Sequence, residues 1–143
     1  MTDPQRRVLI VTVSDSVFAG TRDDRSGTLA AAAMEAHGWA VSRAKVPDEL
    51  AQIRTLLDER LGSVEVILTT GGTGLTPRDV TPEATLPLLE RLIPGIPEAV
   101  RMLGRSSTSA AILSRGVAGV ARDRKSTRLN SSHIPLSRMP SSA

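Results

Sequence analysis

Apolar and polar positions fall into short alternating runs, and most runs end on a turn or cap residue. Residues 8–13 form the first, a predicted buried strand that ends on Ser14, Asp15 and Ser16. Leu29, Ala32, Ala33 and Ala36 then recur at helical spacing, with Ser26 as the expected cap and Gly38 just past the end. Trp39, Val41 and Val46 suggest a second strand, less apolar and so nearer an edge, ending at Pro47 and Asp48. Leu50, Ile53, Leu56, Leu57 and Leu61 make one apolar helix face, with Asp48 as its expected cap and Gly62 as its stop. A third strand follows over Val64, Val66, Ile67 and Leu68. Beyond it the pattern predicts a helix over 82–92, a turn at Pro94 and Gly95, and a helix over 98–103. A serine-rich passage and a short helical turn lead to a last strand at 116–121. Repeated β-α-β units of this kind imply an α/β fold, with a mostly parallel sheet covered by helices on both faces.

The third strand empties into TTGGTGLTPRDVTPEA, residues 69–84. Gly71, Gly72 and Gly74 allow backbone angles that a residue with a Cβ resists, and such a turn can direct several N–H groups at one anion. Thr81 and Pro82 read as a helix start, whose partial positive charge also favours an anion. The spelling excludes a P-loop, because no Gly-Lys-Ser/Thr follows, and it excludes the G-x-G-x-x-G dinucleotide fingerprint. Three glycines alone are as consistent with chain reversal as with binding. Thr69, Thr70, Thr73, Arg78 and Asp79 add hydroxyls, a cation and a carboxylate to the same loop, which favours a site.

In a parallel sheet, residues 14–16, Asp48 and 70–79 would all lie at strand carboxyl ends, the edge where α/β proteins bind ligands. Taken singly, Asp15 could form an Asx turn, Asp48 could only cap a helix, and Asp79 could only shape its loop. Together they point to a site. Carboxylates beside a phosphate loop would repel the phosphate unless Mg²⁺ lies between them, so Asp48 and Asp79 suggest phosphoryl or nucleotidyl transfer. His37, near a helix end, and His133, in the tail, are expected to lie away from these loops, which would argue against a Ser-His-Asp nucleophile.

Composition narrows the remaining classes. The 143 residues, 40% hydrophobic and 23% charged, suit one globular domain. Phe18 and Trp39 are the only aromatics, so stacking platforms for single-stranded nucleic acid are missing. The absence of cysteine excludes disulfides, thiolate catalysis and Cys-based zinc sites. The net charge of +3 resides at the end of the chain: residues 1–121 hold 13 Lys/Arg against 14 Asp/Glu, whereas 122–143 hold 5 against 1. A broad polyanion surface is therefore not expected, and neither nucleic acid nor a membrane is a predicted partner. No run has signal-peptide or bilayer-spanning character, which makes the cytoplasm the expected compartment.

The segments VTVSDS (11–16), DRSGTLAAAAMEAHGW (24–39), VPDE (46–49), TTGGTGLTPRDVTPEAT (69–85), PGIPEAVR (94–101) and AILSRGVAGV (111–120) together resemble molybdenum-cofactor biosynthesis proteins of the molybdopterin adenylyltransferase family. The RDVTPEA continuation separates this branch from the competence-damage-type domains of the same fold. The resemblance implies a three-layer α/β/α domain, usually a homotrimer, that uses ATP and Mg²⁺ to adenylylate the terminal phosphate of molybdopterin and release pyrophosphate. It implies catalytic roles, including Mg²⁺ binding, for Asp48 and Asp79. It implies substrate binding by Thr70, Gly71, Gly72, Thr73 and Gly74, with Ser14, Asp15, Ser16, Ser26 and Gly27 as further pocket candidates. A carrier of molybdopterin that does not adenylylate it, and a trimeric scaffold, are the alternatives.

The resemblance stops after AGV. Where the family continues into another strand, a second loop and a closing helix, this chain reads RDRKSTRLNSSHIPLSRMPSSA, rich in serine and without periodicity. The expected organisation is a C-terminally truncated domain over 1–121 and a non-native or disordered tail over 122–143, leaving the last strand without its next partner.

Overall fold

The computed structural model describes residues 5–121 and the backbone of residues 128–133. Strand β1 (Arg7–Val13) is followed by a one-turn helix α1 (Asp15–Phe18), helix α2 (Arg25–Ala36), β2 (Ala40–Val46), α3 (Leu50–Arg60) and β3 (Val66–Thr70). Then come α4 (Thr81–Thr85), a 3-10 turn (Leu86–Leu88), β4 (Leu89–Leu92), α5 (Gly95–Gly104), a second 3-10 turn (Ser109–Leu113), β5 (Ala118–Ala121) and β6 (Arg128–His133). The six strands lie in the order β2-β1-β3-β6-β5-β4. β1 pairs in parallel with β2 and β3, and β3 with β6, whereas β5 runs antiparallel to both β6 and β4.

Side chains alternate faces along a strand, and β1 separates two cores by that rule. Leu9, Val11 and Val13 pack with Ile53 and Leu57 of α3, Ile67 of β3 and Ala84 of α4. Val8 and Ile10 face the other way, onto Ala30 and Ala31 of α2. A strand apolar on both faces belongs inside a sheet, where β1 is found. The more polar β2 occupies the edge, as its composition predicted.

Several local expectations are corrected. The predicted helix over 82–92 stops at Thr85, because Pro87 lacks an N–H and crowds the preceding turn, and the chain then enters β4 instead. Asp24, not Ser26, caps α2 by accepting from the Gly27 amide. Glu49 stands at the N-cap of α3 without a side-chain bond, so Asp48 does not cap that helix. Val80 stands at the N-cap of α4, and the Thr81 hydroxyl donates instead to the Gly71 carbonyl at 2.9 Å. β5 does not lack a following partner: Arg128–His133, expected to be without secondary structure, forms a strand between β3 and β5. Two facing rows of backbone N–H and C=O groups stabilise an extended segment there, whether or not it carries a periodic side-chain pattern. His133, expected away from the site loops, pairs with Thr70 at the end of β3. The rest of the expected tail lies outside the described residues. No helix among the described residues is long and apolar enough to cross a membrane.

Candidate functional site

Because β1, β2 and β3 are parallel, residues 14–18, 47–49 and 71–79 all leave from the same edge of the sheet. The 71–79 loop has no room for side chains at its start. Gly71 (φ +98°) and Gly72 (φ +70°) sit in the left-handed region, and a Cβ would strike the Val13 carbonyl at the first and the Thr81 hydroxyl at the second. A Cβ at Gly74 would come within 2.7 Å of Asp79 Oδ2. That oxygen closes the loop, accepting from the Thr76 amide at 3.0 Å and the Thr76 hydroxyl at 2.8 Å.

Asp15 and Asp48 bind each other's backbones. The Asp15 amide donates to Asp48 Oδ2 at 3.0 Å, and the Asp48 amide donates to Asp15 Oδ1 at 2.9 Å. Arg78, from the glycine loop, reaches Asp15 Oδ2 through Nη2 at 2.7 Å and Nε at 3.1 Å, and Glu49 at 3.5 Å. Three loops are thereby tied together. The bonds from Arg78, then from the Asp48 amide, hold the Asp15 carboxyl below its ordinary range. Asp48 is pushed the opposite way, chiefly by burial and further by the negative charges of Asp15 and Asp79, against the pull of the Asp15 amide and Arg78. A nearby cation would relieve that cost.

Among the described residues, two clefts flank the loop. One, of about 300 Å³, is polar; Asp48, Asp79, Ser14, Ser26, Thr70, Gly71 and Gly72 line it, together with Thr12, Asp24, Arg22 and Arg25. The other, of about 400 Å³, is more apolar; Gly71, Gly72, Thr73, Gly74 and Asp79 meet Thr108, Ala111 and Ser114 there. Gly71, Gly72 and Asp79 are common to both. Three predicted site residues line neither cleft: Asp15, which binds Arg78; Ser16, whose hydroxyl lies 3.2 Å from that of Ser14; and Gly27, which packs against Asp24 and Thr12. The Thr70 hydroxyl is buried in the polar cleft's wall with no hydrogen-bond partner among the described residues, an arrangement that favours a ligand oxygen or a water beside it. No cluster of three or more His, Asp or Glu able to hold a metal occurs among the described residues.

Residues 9–134 match the family described as a probable molybdopterin binding domain. The chain belongs to the molybdopterin-binding domain family. Molybdenum cofactor biosynthesis protein B of Escherichia coli K12 is 43% identical over 119 residues, which cover 80% of this chain and 69% of that protein. The molybdenum cofactor biosynthesis bifunctional protein of Chlorobaculum tepidum is 37% identical over 116 residues, and the match spans only 37% of its length. Among solved structures, the molybdopterin biosynthesis enzyme MoaB of Thermus thermophilus superposes with a TM-score of 0.78 at 44% identity, over 92% of this chain and 82% of that one. The α/β fold with its parallel central strands is the one these relatives share, and the chain is a molybdenum cofactor biosynthesis protein of this type.

In this member of the molybdopterin-binding domain family, sequence reasoning missed Asp24 and Arg115. Asp24 accepts from the Thr12 hydroxyl and from Arg43, both at 2.8 Å, at the mouth of α2. Its position two residues before Ser26 offered an equally good cap, which was the available signal. Arg115 falls within the family-like segment AILSRGVAGV, which was the available signal, but it lies far along the chain from the loop it contacts and no spacing links the two.

Proposed function

We propose that this chain transfers the adenylyl group of ATP to the terminal phosphate of molybdopterin, releasing pyrophosphate. The observation that carries the reading is the shared wall: Gly71, Gly72 and Asp79 line a polar cleft holding Asp48 and, on the other side, an apolar cleft suited to a pterin. Two substrates placed there would meet at the loop. A phosphate oxygen of molybdopterin forms a bond to the α-phosphorus of ATP, the bond from that phosphorus to the α–β bridging oxygen breaks, and pyrophosphate leaves with the electron pair. The attacking phosphate is already ionised at neutral pH, so no histidine base is required.

The chain's own part is alignment and electrostatics. Gly71 and Gly72 line both clefts and present backbone without side chains to an anion, and the Thr70 hydroxyl, which has no partner among the described residues, would donate to it. Asp48 and Asp79 would hold Mg²⁺. Both line the polar cleft, and this ion keeps waters and takes phosphate oxygens as further ligands, so it needs few protein carboxylates. When bound, Mg²⁺ neutralises polyphosphate charge. Ser14 and Ser26 line the polar cleft as candidate nucleotide contacts, and Thr73 and Gly74 line the other. Asp15 and Ser16 act through the loop that carries Ser14, and Gly27 through Asp24.

The same reading makes the protein a cytoplasmic homotrimer. Exposed Met102, Leu103 and Ile112 offer apolar surface for a second copy. Isothermal titration with Mg-ATP and molybdopterin, followed by a pyrophosphate-release assay, tests the function. Binding of both with turnover supports it; binding of molybdopterin alone indicates a carrier, and binding of neither a scaffold.

A further inference from the structure

Residues 114–116 join the second 3-10 turn to β5 and lie along the glycine loop. The Arg115 amide donates to the Thr73 carbonyl at 2.8 Å. Its guanidinium then commits every nitrogen to the loop and the helix behind it. Nε donates to the Gly74 carbonyl at 2.8 Å, Nη2 to the Asp79 carbonyl at 2.7 Å, and Nη1 to the two Glu83 oxygens at 2.9 and 3.0 Å. Arg115 is itself held in place. Arg101 Nη1 donates to the Ser114 and Gly116 carbonyls at 3.1 and 3.3 Å, and the Ser114 hydroxyl lies 3.3 Å from that of Thr73.

Gly74 and Asp79 are the two ends of the bend that Thr76 closes internally. A planar guanidinium holds its acceptors in a fixed fork, so one side chain sets the distance between those ends and their distance from α4. From these contacts we infer that Arg115 is a positioning residue: it fixes the span of residues 74–79 and, through the Asp79 backbone, the place of the Asp79 carboxylate between the two clefts. A lysine would keep the charge opposite Glu83 but could not reach both carbonyls in the same geometry. The catalytic consequence rests on the adenylylation reading above, whereas the loop-fixing role does not.

The test uses the full chain, Arg115→Lys and Glu83→Gln, each followed by amide hydrogen exchange and by steady-state pyrophosphate release. In Arg115→Lys, exchange at the Thr76 and Asp79 amides should accelerate by roughly tenfold or more while β1 amides stay unchanged. The kcat should fall by about tenfold or more, with KM for Mg-ATP and molybdopterin held within about threefold. Glu83→Gln leaves both carbonyl bonds in place and should lose clearly less of either quantity. Unchanged exchange at Thr76 and Asp79 in Arg115→Lys overturns the inference, as does a Glu83→Gln variant equally impaired, since the ion pair alone would then hold the loop. Turnover equal to that of the parent chain overturns the catalytic part. If the parent chain releases no pyrophosphate, the adenylylation reading fails, and exchange alone decides the role of Arg115.

Discussion

Replacing Gly72 with alanine should separate two effects that a glycine loop combines. At φ +70° any residue with a Cβ is strained by about 1–2 kcal/mol. The new methyl also meets the Thr81 hydroxyl and comes within 3.4 Å of Asp48 Oδ1, so the Thr81 side chain must turn and give up its bond to the Gly71 carbonyl. Losing that bond adds about 1 kcal/mol. The total, about 2–3 kcal/mol, should lower the melting temperature by roughly 6–12 °C in a chain of this size. Gly62 supplies the control, because it has φ +95° and nothing within 4 Å of a built Cβ. Gly62→Ala should show only the strain, about 1–2 kcal/mol. Calorimetry on both variants, with molybdopterin titration on each, provides the comparison. Equal losses in the two, with undiminished ligand binding by Gly72→Ala, would refute the claim that the loop's glycines make room as well as turn the chain.

Four other outcomes are expected. Asp48→Asn and Asp79→Asn should each abolish most pyrophosphate release while leaving the circular dichroism spectrum unchanged; full rates in both variants would remove the two acids from the mechanism. The raised pKa of Asp48 means that the folded chain binds this proton more tightly than the unfolded chain, so stability falls as pH rises through that pKa. Ligand-free Asp48→Asn should therefore match or exceed the parent chain in urea midpoint near neutrality, with the gap closing below about pH 3.8. Glu65 is depressed to about 2 by Arg7, first through the side-chain bonds and then through the Arg7 amide, so its contribution is full above pH 4.5 and fades as pH falls toward about 2. The stability advantage over Glu65→Gln should shrink across that window, and a pH-independent gap would contradict the assignment. Ile53→Ala, at a fully buried position, should cost about 2–5 kcal/mol by urea denaturation, and a loss under about 1 kcal/mol would mean the α3 face is loosely packed.

The parts of the fold that could be read in advance are those whose signal is local. β1 is apolar on both faces, β2 mixes polar residues into its run, and α3 has an unbroken apolar stripe, so type and relative place followed from pattern. β4 could not be found this way. Its residues, Leu89–Leu92, have a helix-compatible composition, and pairing with β5 decides their state. β6 is similar, since the partners on either side of it determine the strand. At the site, the convergence of Asp48, Asp79 and the glycine loop required only that β1, β2 and β3 be parallel. The Arg115 guanidinium meets its acceptors across 32 to 41 residues of sequence, a separation over which no spacing rule operates. The choice of Asp24 over Ser26 depended on which of two nearby candidates the turn places over the α2 amides.

The mutual hold of Asp15 and Asp48 spans 33 residues, and the reach of Arg78 to Asp15 spans 63. No fragment of the chain carries all three loops without also carrying the strands between them, so the candidate site is a property of the native state alone. Any molecule that occupies it is therefore a thermodynamic brace for the whole domain, worth about 2.7 kcal/mol at a hundredfold excess over its Kd. Thermal shift in the presence of a candidate compound thus becomes a direct affinity measurement, and destabilised variants of this chain should regain native population in cells that accumulate the true substrate.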